Sequence, residues 1–171
     1  MIILKKNKKR TPLSLVNKNY FICVFIVICA FFLDRLSKVK IIENQLNNNS
    51  IYINDFINFD LTWNNGIGFG LFSSSSSLYY NLMTMFIACV IIFIVYLIIK
   101  SNLIDKILFS IVLGGAIGNF YDRLIYFAVP DFIDIHYERF HWFTFNIADI
   151  LISMGIILLI LNDMFFKNDK I

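Results

Sequence analysis

Between Leu78 and Ile99 lie 22 consecutive residues without a charge, the most polar of them Asn81 and Thr84 near the start, and Lys100 ends the run. A helix of about 20 residues rises roughly 30 Å, the thickness of bilayer hydrocarbon, so a stretch of this length predicts a membrane crossing. The rest of the chain agrees. Of 171 residues, 58% are apolar and 16% charged, with a mean hydropathy of +0.72, whereas a water-soluble domain carries about 25% charged residues. Three Cys supply no disulfide framework, and seven Gly with two Pro give no low-complexity or collagenous reading.

Three further apolar segments reach spanning length only by taking polar residues into the membrane. Tyr20 to Leu33 gives 14 apolar residues, and a crossing continues through Asp34, Arg35 and Lys38 toward Ile42. Ile107 to Ile117 gives 11 and must take in Asn119, Asp122 and Arg123 before Pro130 stops the helix. Ile150 to Leu161 gives 12 and, extended back to Phe143, takes in Asn146 and Asp149. The expected fold is an all-α membrane protein: a single domain of four transmembrane helices at about 20–42, 78–99, 107–129 and 143–165. A basic arm precedes them at 1–19, and loops occupy 43–77 and 130–142.

Charge placement orients the bundle, because Lys and Arg are retained on the cytoplasmic side. Six basic residues (Lys5, Lys6, Lys8, Lys9, Arg10, Lys18) precede the first span, Lys100 and Lys106 flank the second turn, and Lys167 and Lys170 lie in the tail. Only Arg139 falls in the other two loops. Both termini are therefore expected inside. A basic arm beside an apolar segment argues for an anionic membrane surface and against nucleic acid as partner. It is not a cleaved signal peptide, since the apolar stretch starts too far in and lacks a small-residue cleavage site. In this topology Asp34 and Lys38, then Asn119, Asp122 and Arg123, then Asn146 and Asp149 all lie near the outer face. In the loop 43–77, Ile51 to Phe59 alternates apolar and polar residues in part and Leu61 to Phe72 contains Trp63-Asn64-Asn65-Gly66-Ile67-Gly68-Phe69-Gly70, which suggests a small extracytoplasmic β-rich platform.

Charges placed in a bilayer cost a few kcal/mol each on insertion scales, so these must neutralise one another or face a wet cavity. Asp34 and Lys38 stand one helical turn apart, and Asp122 lies beside Arg123, so a purely structural salt-bridge set is one reading. The repeated Asn-x-x-Asp of Asn119/Asp122 and Asn146/Asp149 is another signal, and by itself it pairs Asp122 with Asp149. Asp131 and Asp134 add carboxylates in the loop between. Two carboxylates forced together share a proton, giving a base and an acid side by side, able to activate water against a peptide carbonyl and protonate the leaving amine. Cys23, Cys29 and Cys89 sit in apolar runs as packing thiols, and the Ser73 to Ser77 run reads as a solvated loop. His136 and His141 have no metal-ligand spacing, and Trp63, Trp142 and Tyr137 read as interface anchors. There is no metal, nucleotide or haem motif, so no cofactor is expected.

Five motifs in order resemble the lipoprotein signal peptidase (signal peptidase II) family of bacterial membrane aspartyl proteases. They are Asp34-x-x-x-Lys38, Asn64-x-Gly66-x-x-Phe69, Gly118-Asn119-x-x-Asp122-Arg123, Val129-x-Asp131-Phe132 and Phe145-Asn146-x-Ala148-Asp149. The resemblance implies a catalytic pair at Asp131 and Asp149, in place of Asp122 with Asp149. It implies a supporting, substrate-contacting shell of Asp34, Lys38, Asn64, Gly66, Asn119, Asp122, Arg123 and Asn146. The implied activity is removal of the signal peptide from diacylglyceryl-modified prolipoproteins by cutting before the lipidated cysteine, by a monomer in contact with membrane lipid. Departures from the family pattern are Gly68 in place of Ala, Ile150 after the second aspartate, Pro130 before Asp131, and a longer basic arm. A small proton- or ion-coupled transporter using Asp34, Asp122 and Asp149 is the alternative. It would place its ionisable groups near mid-membrane with an internal repeat, and neither is visible. A purely structural subunit would leave the Asn and Gly pattern of the long loop without a purpose.

Overall fold

The computed structural model describes residues 13–45, 50–66 and 77–166. Among them are helices α1 (Leu13–Gln45), α2 (Ser77–Lys100), α3 (Leu103–Tyr126) and α4 (Ile147–Phe166), and strands β1 (Ile51–Asn54), β2 (Ile57–Asn64), β3 (Val129–Tyr137) and β4 (Phe140–Phe145). Each helix contains a stretch long and apolar enough to cross a membrane: Lys18–Asn44, Tyr80–Lys100, Leu103–Tyr126 and Ile147–Phe165. Residues 1–12 of the basic arm, the segment Ile67 to Phe69, most of the serine run and the basic tail lie outside the described residues, while the rest of the arm is the start of α1.

Helix α3 is the core of the bundle. Half of its apolar stretch is buried, against 17% or less in the other three, so α1, α2 and α4 pack on it and turn most of their surface outward. Small residues permit the approach, as expected where lipid supplies no hydrophobic drive between helices. A Cβ on Gly114 would sit 2.4 Å from Ala30 Cβ, and one on Gly115 would sit 2.8 Å from the Ala148 carbonyl. Along α1 the buried positions Cys23, Ala30, Asp34, Lys38 and Ile41 recur at steps of seven, four, four and three, so the two charged groups belong to the stripe that faces α3.

The strands form one antiparallel sheet in the order β1-β2-β3-β4. Asn54 closes the first hairpin, its Oδ1 accepting the N–H of Phe56 and Ile57 at 2.9 and 3.0 Å. Strand β2 then pairs with β3, Asn64 opposite Val129 and Thr62 opposite Asp131, and β3 pairs with β4. The sheet thus joins both connecting segments. This corrects the expectation of a plain loop at 130–142. Burial covers both faces of β3, and the polar positions of its Ile133-Asp134-Ile135-His136 alternation, Asp134 and His136, face inward.

Helix α1 starts earlier and ends later than the expected 20–42, α3 starts earlier than 107, and two further boundaries differ at the site. Helix α3 ends at Tyr126, short of residue 129, because Phe127 takes the left-handed C-cap conformation (φ 55°) and Val129, preceding Pro130, is already extended. Helix α4 begins at Ile147, because Phe143, Thr144 and Phe145 pair with Ile135, Asp134 and Ile133 as a strand. Asp131 therefore stands on a strand, and Asp149 in the first turn of a helix.

Candidate active site

Asp131 is buried near the start of β3, and each of its oxygens accepts one amide N–H: Oδ1 from Asn146 Nδ2 at 2.6 Å, Oδ2 from Asn64 Nδ2 at 2.8 Å. Asn64 can present only its nitrogen, since its Oδ1 accepts the Gly66 N–H at 2.8 Å. Burial, followed by the charge of Asp149, pushes the Asp131 carboxyl up to about 6, against the two amide hydrogen bonds that favour its ionised form.

Asp149 receives the Asn119 amide on Oδ1 at 2.8 Å and the Asn146 backbone N–H on Oδ2 at 3.2 Å. Asn146 Oδ1 in turn accepts the Asp149 N–H at 3.1 Å. This reciprocal exchange is a capping box, in which the residue before a helix and the third residue inside it satisfy one another's backbone donors. With its oxygen so engaged, Asn146 turns its nitrogen to Asp131. One asparagine thereby touches both carboxyl groups.

A second network lies one layer away. Lys38, fully buried, donates to Asp34 Oδ2 (2.8 Å), Asn119 Oδ1 (2.8 Å) and Asp122 Oδ2 (2.7 Å). Arg35 holds the other oxygen of Asp122 at 2.6 Å, bonds to the Tyr126 hydroxyl, and lies over the Tyr121 ring. Asp34 Oδ1 accepts the Ala148 N–H at 2.9 Å, so a side chain of α1 satisfies a free donor at the start of α4. Gly118 lies directly against it, where a Cβ would come within 2.4 Å of Asp34 Oδ2.

These contacts separate the two Asn-x-x-Asp repeats. Asn146/Asp149 is a helix cap, whereas Asn119/Asp122 sits inside α3, both side chains reaching Lys38. Asp122 answers two cations from α1 and is hydrogen-bonded to neither Asp131 nor Asp149. Nor does Asp122 pair with its chain neighbour: Arg123 points elsewhere, donating to the carbonyls of Asn119 (3.1 Å) and Gly66 (2.7 Å), its buried Nε without a hydrogen-bond partner among the described residues. Sequence reasoning left Arg35 out of the site. The only signal was its place beside Asp34, and which face it takes depends on Asp122 from a neighbouring helix.

Two apolar cavities flank α4 and meet at Asp149. One, of about 360 Å³, lies between α2, α3 and α4, with Val90, Val112 and Ile156 on its walls and Asn119, Arg123 and Asp149 at its polar end. The other, of about 390 Å³, lies beside β4, between Phe143 and Phe145 and the α4 residues Ile150, Met154 and Ile157. Away from both, Asp134 accepts a hydrogen bond from the His141 ring at 2.6 Å, and the His136 and His141 rings stack at 5.4 Å.

The model of the signal peptidase (SPase) II family matches residues 26–166. The lipoprotein signal peptidase of Pelagibacter ubique (strain HTCC1062) is 46% identical over 155 residues, which cover 90% of this chain and 93% of the relative. That of Francisella tularensis subsp. novicida (strain U112) is 36% identical over 152 residues, 86% of this chain and 92% of the relative. Two solved chains of a bacterial membrane enzyme, both 30% identical, superpose with TM-scores of 0.69 and 0.65. The first covers 91% of this chain and 93% of its own length, the second 88% and 95%.

Proposed function

Because this chain belongs to the signal peptidase II family, we propose that it removes the signal peptide from diacylglyceryl-modified prolipoproteins, cutting before the lipidated cysteine, with Asp131 and Asp149 as an aspartic catalytic pair. The observation that carries this reading is Asn146 hydrogen-bonded to both carboxyl groups at once. Charge balance supports it. Three cations (Arg35, Lys38, Arg123) face four carboxylates (Asp34, Asp122, Asp131, Asp149) in the network, and Asp34 and Asp122 are already ion-paired. One proton held by the Asp131/Asp149 pair makes the assembly neutral, which a low-dielectric site requires.

The ionised member of the pair takes a proton from water as its oxygen bonds to the scissile carbonyl carbon, and the protonated member gives its proton to the carbonyl oxygen. Collapse of the resulting gem-diol breaks the C–N bond: one hydroxyl returns its proton to the carboxylate that gave it as the carbonyl re-forms, and the proton taken from water passes to the departing amine. Asn64, Asn119 and Asn146 hold the two carboxyl groups in place through this cycle, and Gly66 fixes Asn64. The apolar cavities meeting at Asp149 suit the substrate's acyl chains and apolar signal segment, which keep their hydrocarbon surroundings while the peptide bond meets the pair. Lys and Arg placement sets both termini in the cytoplasm and the pair near the extracytoplasmic face. Among the described residues Asn64, Asn119 and Asn146 donate to the two aspartates from the same chain, and a monomer is proposed.

The test is conversion of a diacylglyceryl prolipoprotein by purified protein. Asp131→Asn and Asp149→Asn each abolish cleavage while the protein stays folded, and full turnover by either variant overturns the pair.

A further inference from the structure

Lys38 makes no hydrogen bond to either aspartate of the pair, yet what Asp149 encounters is arranged from it. Its three protons go to Asp34, Asn119 and Asp122, so none remains for a substrate. An asparagine amide offers an acceptor at one end and donors at the other. An ammonium has no lone pair, so only the oxygen of Asn119 can face Lys38. The Asn119 nitrogen must then turn the opposite way, where it meets Asp149 Oδ1 at 2.8 Å. A second route runs through Asp34. With Oδ2 held by Lys38, its Oδ1 receives the N–H of Ala148, the residue before Asp149. Helix α4 is thus registered on an ammonium carried by α1 at two points, one side chain and one backbone.

Resting on the aspartic-pair reading above, we propose that Lys38 is a positioning residue for Asp149: through Asn119 and Asp34 it fixes an N–H donor against Asp149 Oδ1 and so keeps the shared proton off that oxygen. An Asn119 amide free to rotate would at times set its oxygen against Asp149, and an acceptor there holds a proton on the carboxyl. The base that must deprotonate water would then be scarcer, and more so at low pH. Substrate binding, which Lys38 does not touch, would be spared.

The experiment compares wild type with Lys38→Met and with the charge-balanced double variant Lys38→Met/Asp34→Asn, which removes one cation and one anion together and guards against misfolding from an unpaired buried carboxylate. Asn119→Ala cuts the side-chain route alone. Purified full-length protein and a lipidated prolipoprotein give kcat and KM across pH. The expected result for each folded variant is a kcat lower by on the order of 10²-fold, as for loss of one preorganised donor. KM should stay within about twofold, and the low-pH limb of kcat should move up by about one pH unit, the equivalent of one charge-assisted hydrogen bond. Adding Asn119→Ala to Lys38→Met should cost little more than Lys38→Met alone, since the two act in series. A folded variant with an unmoved limb, a loss confined to KM, or fully additive losses overturns the proposal, and an unmoved limb in Asn119→Ala does so whether or not the Lys38 variants fold. Asp149→Asn is assayed in parallel. If it turns over normally the aspartic pair itself has failed, whereas if it is inactive and the Lys38 and Asn119 variants keep the wild-type profile, only the positioning role has failed.

Discussion

Asn146 donates its side-chain amide to Asp131 Oδ1 at 2.6 Å while serving as the N-cap of the helix that carries Asp149. The two functions depend on each other. Because the cap occupies the side-chain oxygen, the nitrogen has one direction left, and Asp131 lies along it. The geometry of a helix start is thereby carried over to the spacing of two carboxyl groups on different elements.

Asn146→Ser separates the two functions. Serine keeps an acceptor for the Asp149 N–H, so Asn146→Ser should be more stable than Asn146→Ala by about 1 kcal/mol, while both forfeit the buried bond to Asp131. Neither replacement can donate to Asp131 as the amide does, and a hydrogen bond to a charged group is worth about 1.5–3 kcal/mol, so both variants should lose about 10- to 100-fold in kcat. Thermal unfolding in detergent beside a cleavage assay reads both effects. Equal stability losses in the two variants would show that the serine does not act as a cap.

Gly118→Ala should destabilise the bundle although it adds a single methyl. That carbon would stand 2.4 Å from Asp34 Oδ2 and 3.2 Å from Asp34 Cγ. Asp34 has nowhere to retreat, since Lys38 holds one oxygen and the Ala148 N–H the other. Overpacking of this kind costs about 1–3 kcal/mol. A fall in unfolding temperature accompanied by reduced turnover is expected, and an unchanged unfolding temperature would mean that α1 and α3 separate here at no cost.

Hydrophobic length and the depth of polar residues run along one dimension, so the four spans and the shared level of Asp34, Lys38, Asn119, Asp122, Asn146 and Asp149 were legible without coordinates. Pairing between elements was not. Helical spacing puts Asn119 and Asp122 on one face but is silent on whether Lys38 or Asp149 lies opposite, and unaided it joins Asp122 to Asp149. The structure gives Asp122 to Lys38 and Arg35 and brings Asn146 to both Asp131 and Asp149. The β3–β4 hairpin was hidden although Ile133-Asp134-Ile135-His136 alternates apolar and polar: Pro130 with the closely spaced Asp131 and Asp134 reads as a loop, and the polar positions Asp134 and His136 are buried instead of facing solvent.

Stability should fall as pH rises through the range in which Asp131 loses its proton. Folding raises this carboxyl from its ordinary value of 3.8 to about 6, so the folded state binds the proton more tightly than the unfolded chain. The resulting contribution is fully present below about pH 4 and lost as pH passes about 6, at most about 3 kcal/mol. Unfolding temperatures across this interval should decline more steeply in wild type than in Asp131→Asn, which has no proton to release there. Parallel curves would place the origin of any decline in another group.

Val90→Trp tests whether the cavity between α2, α3 and α4 receives part of the substrate. Val90 lines it from α2 and has no hydrogen-bonding side chain, so an indole there takes up part of the roughly 360 Å³. Interactions shared by ground and transition states alter KM and leave kcat alone. The expected outcome is a KM for diacylglyceryl prolipoprotein raised by about tenfold or more with kcat within about twofold, since losing contact with even two methylenes is worth about 1.6 kcal/mol. A substrate with shorter acyl chains should be affected less if the lipid occupies this cavity and equally if the signal segment does. An unchanged KM for both substrates would point instead to the cavity beside β4, lined by Phe143 and Phe145.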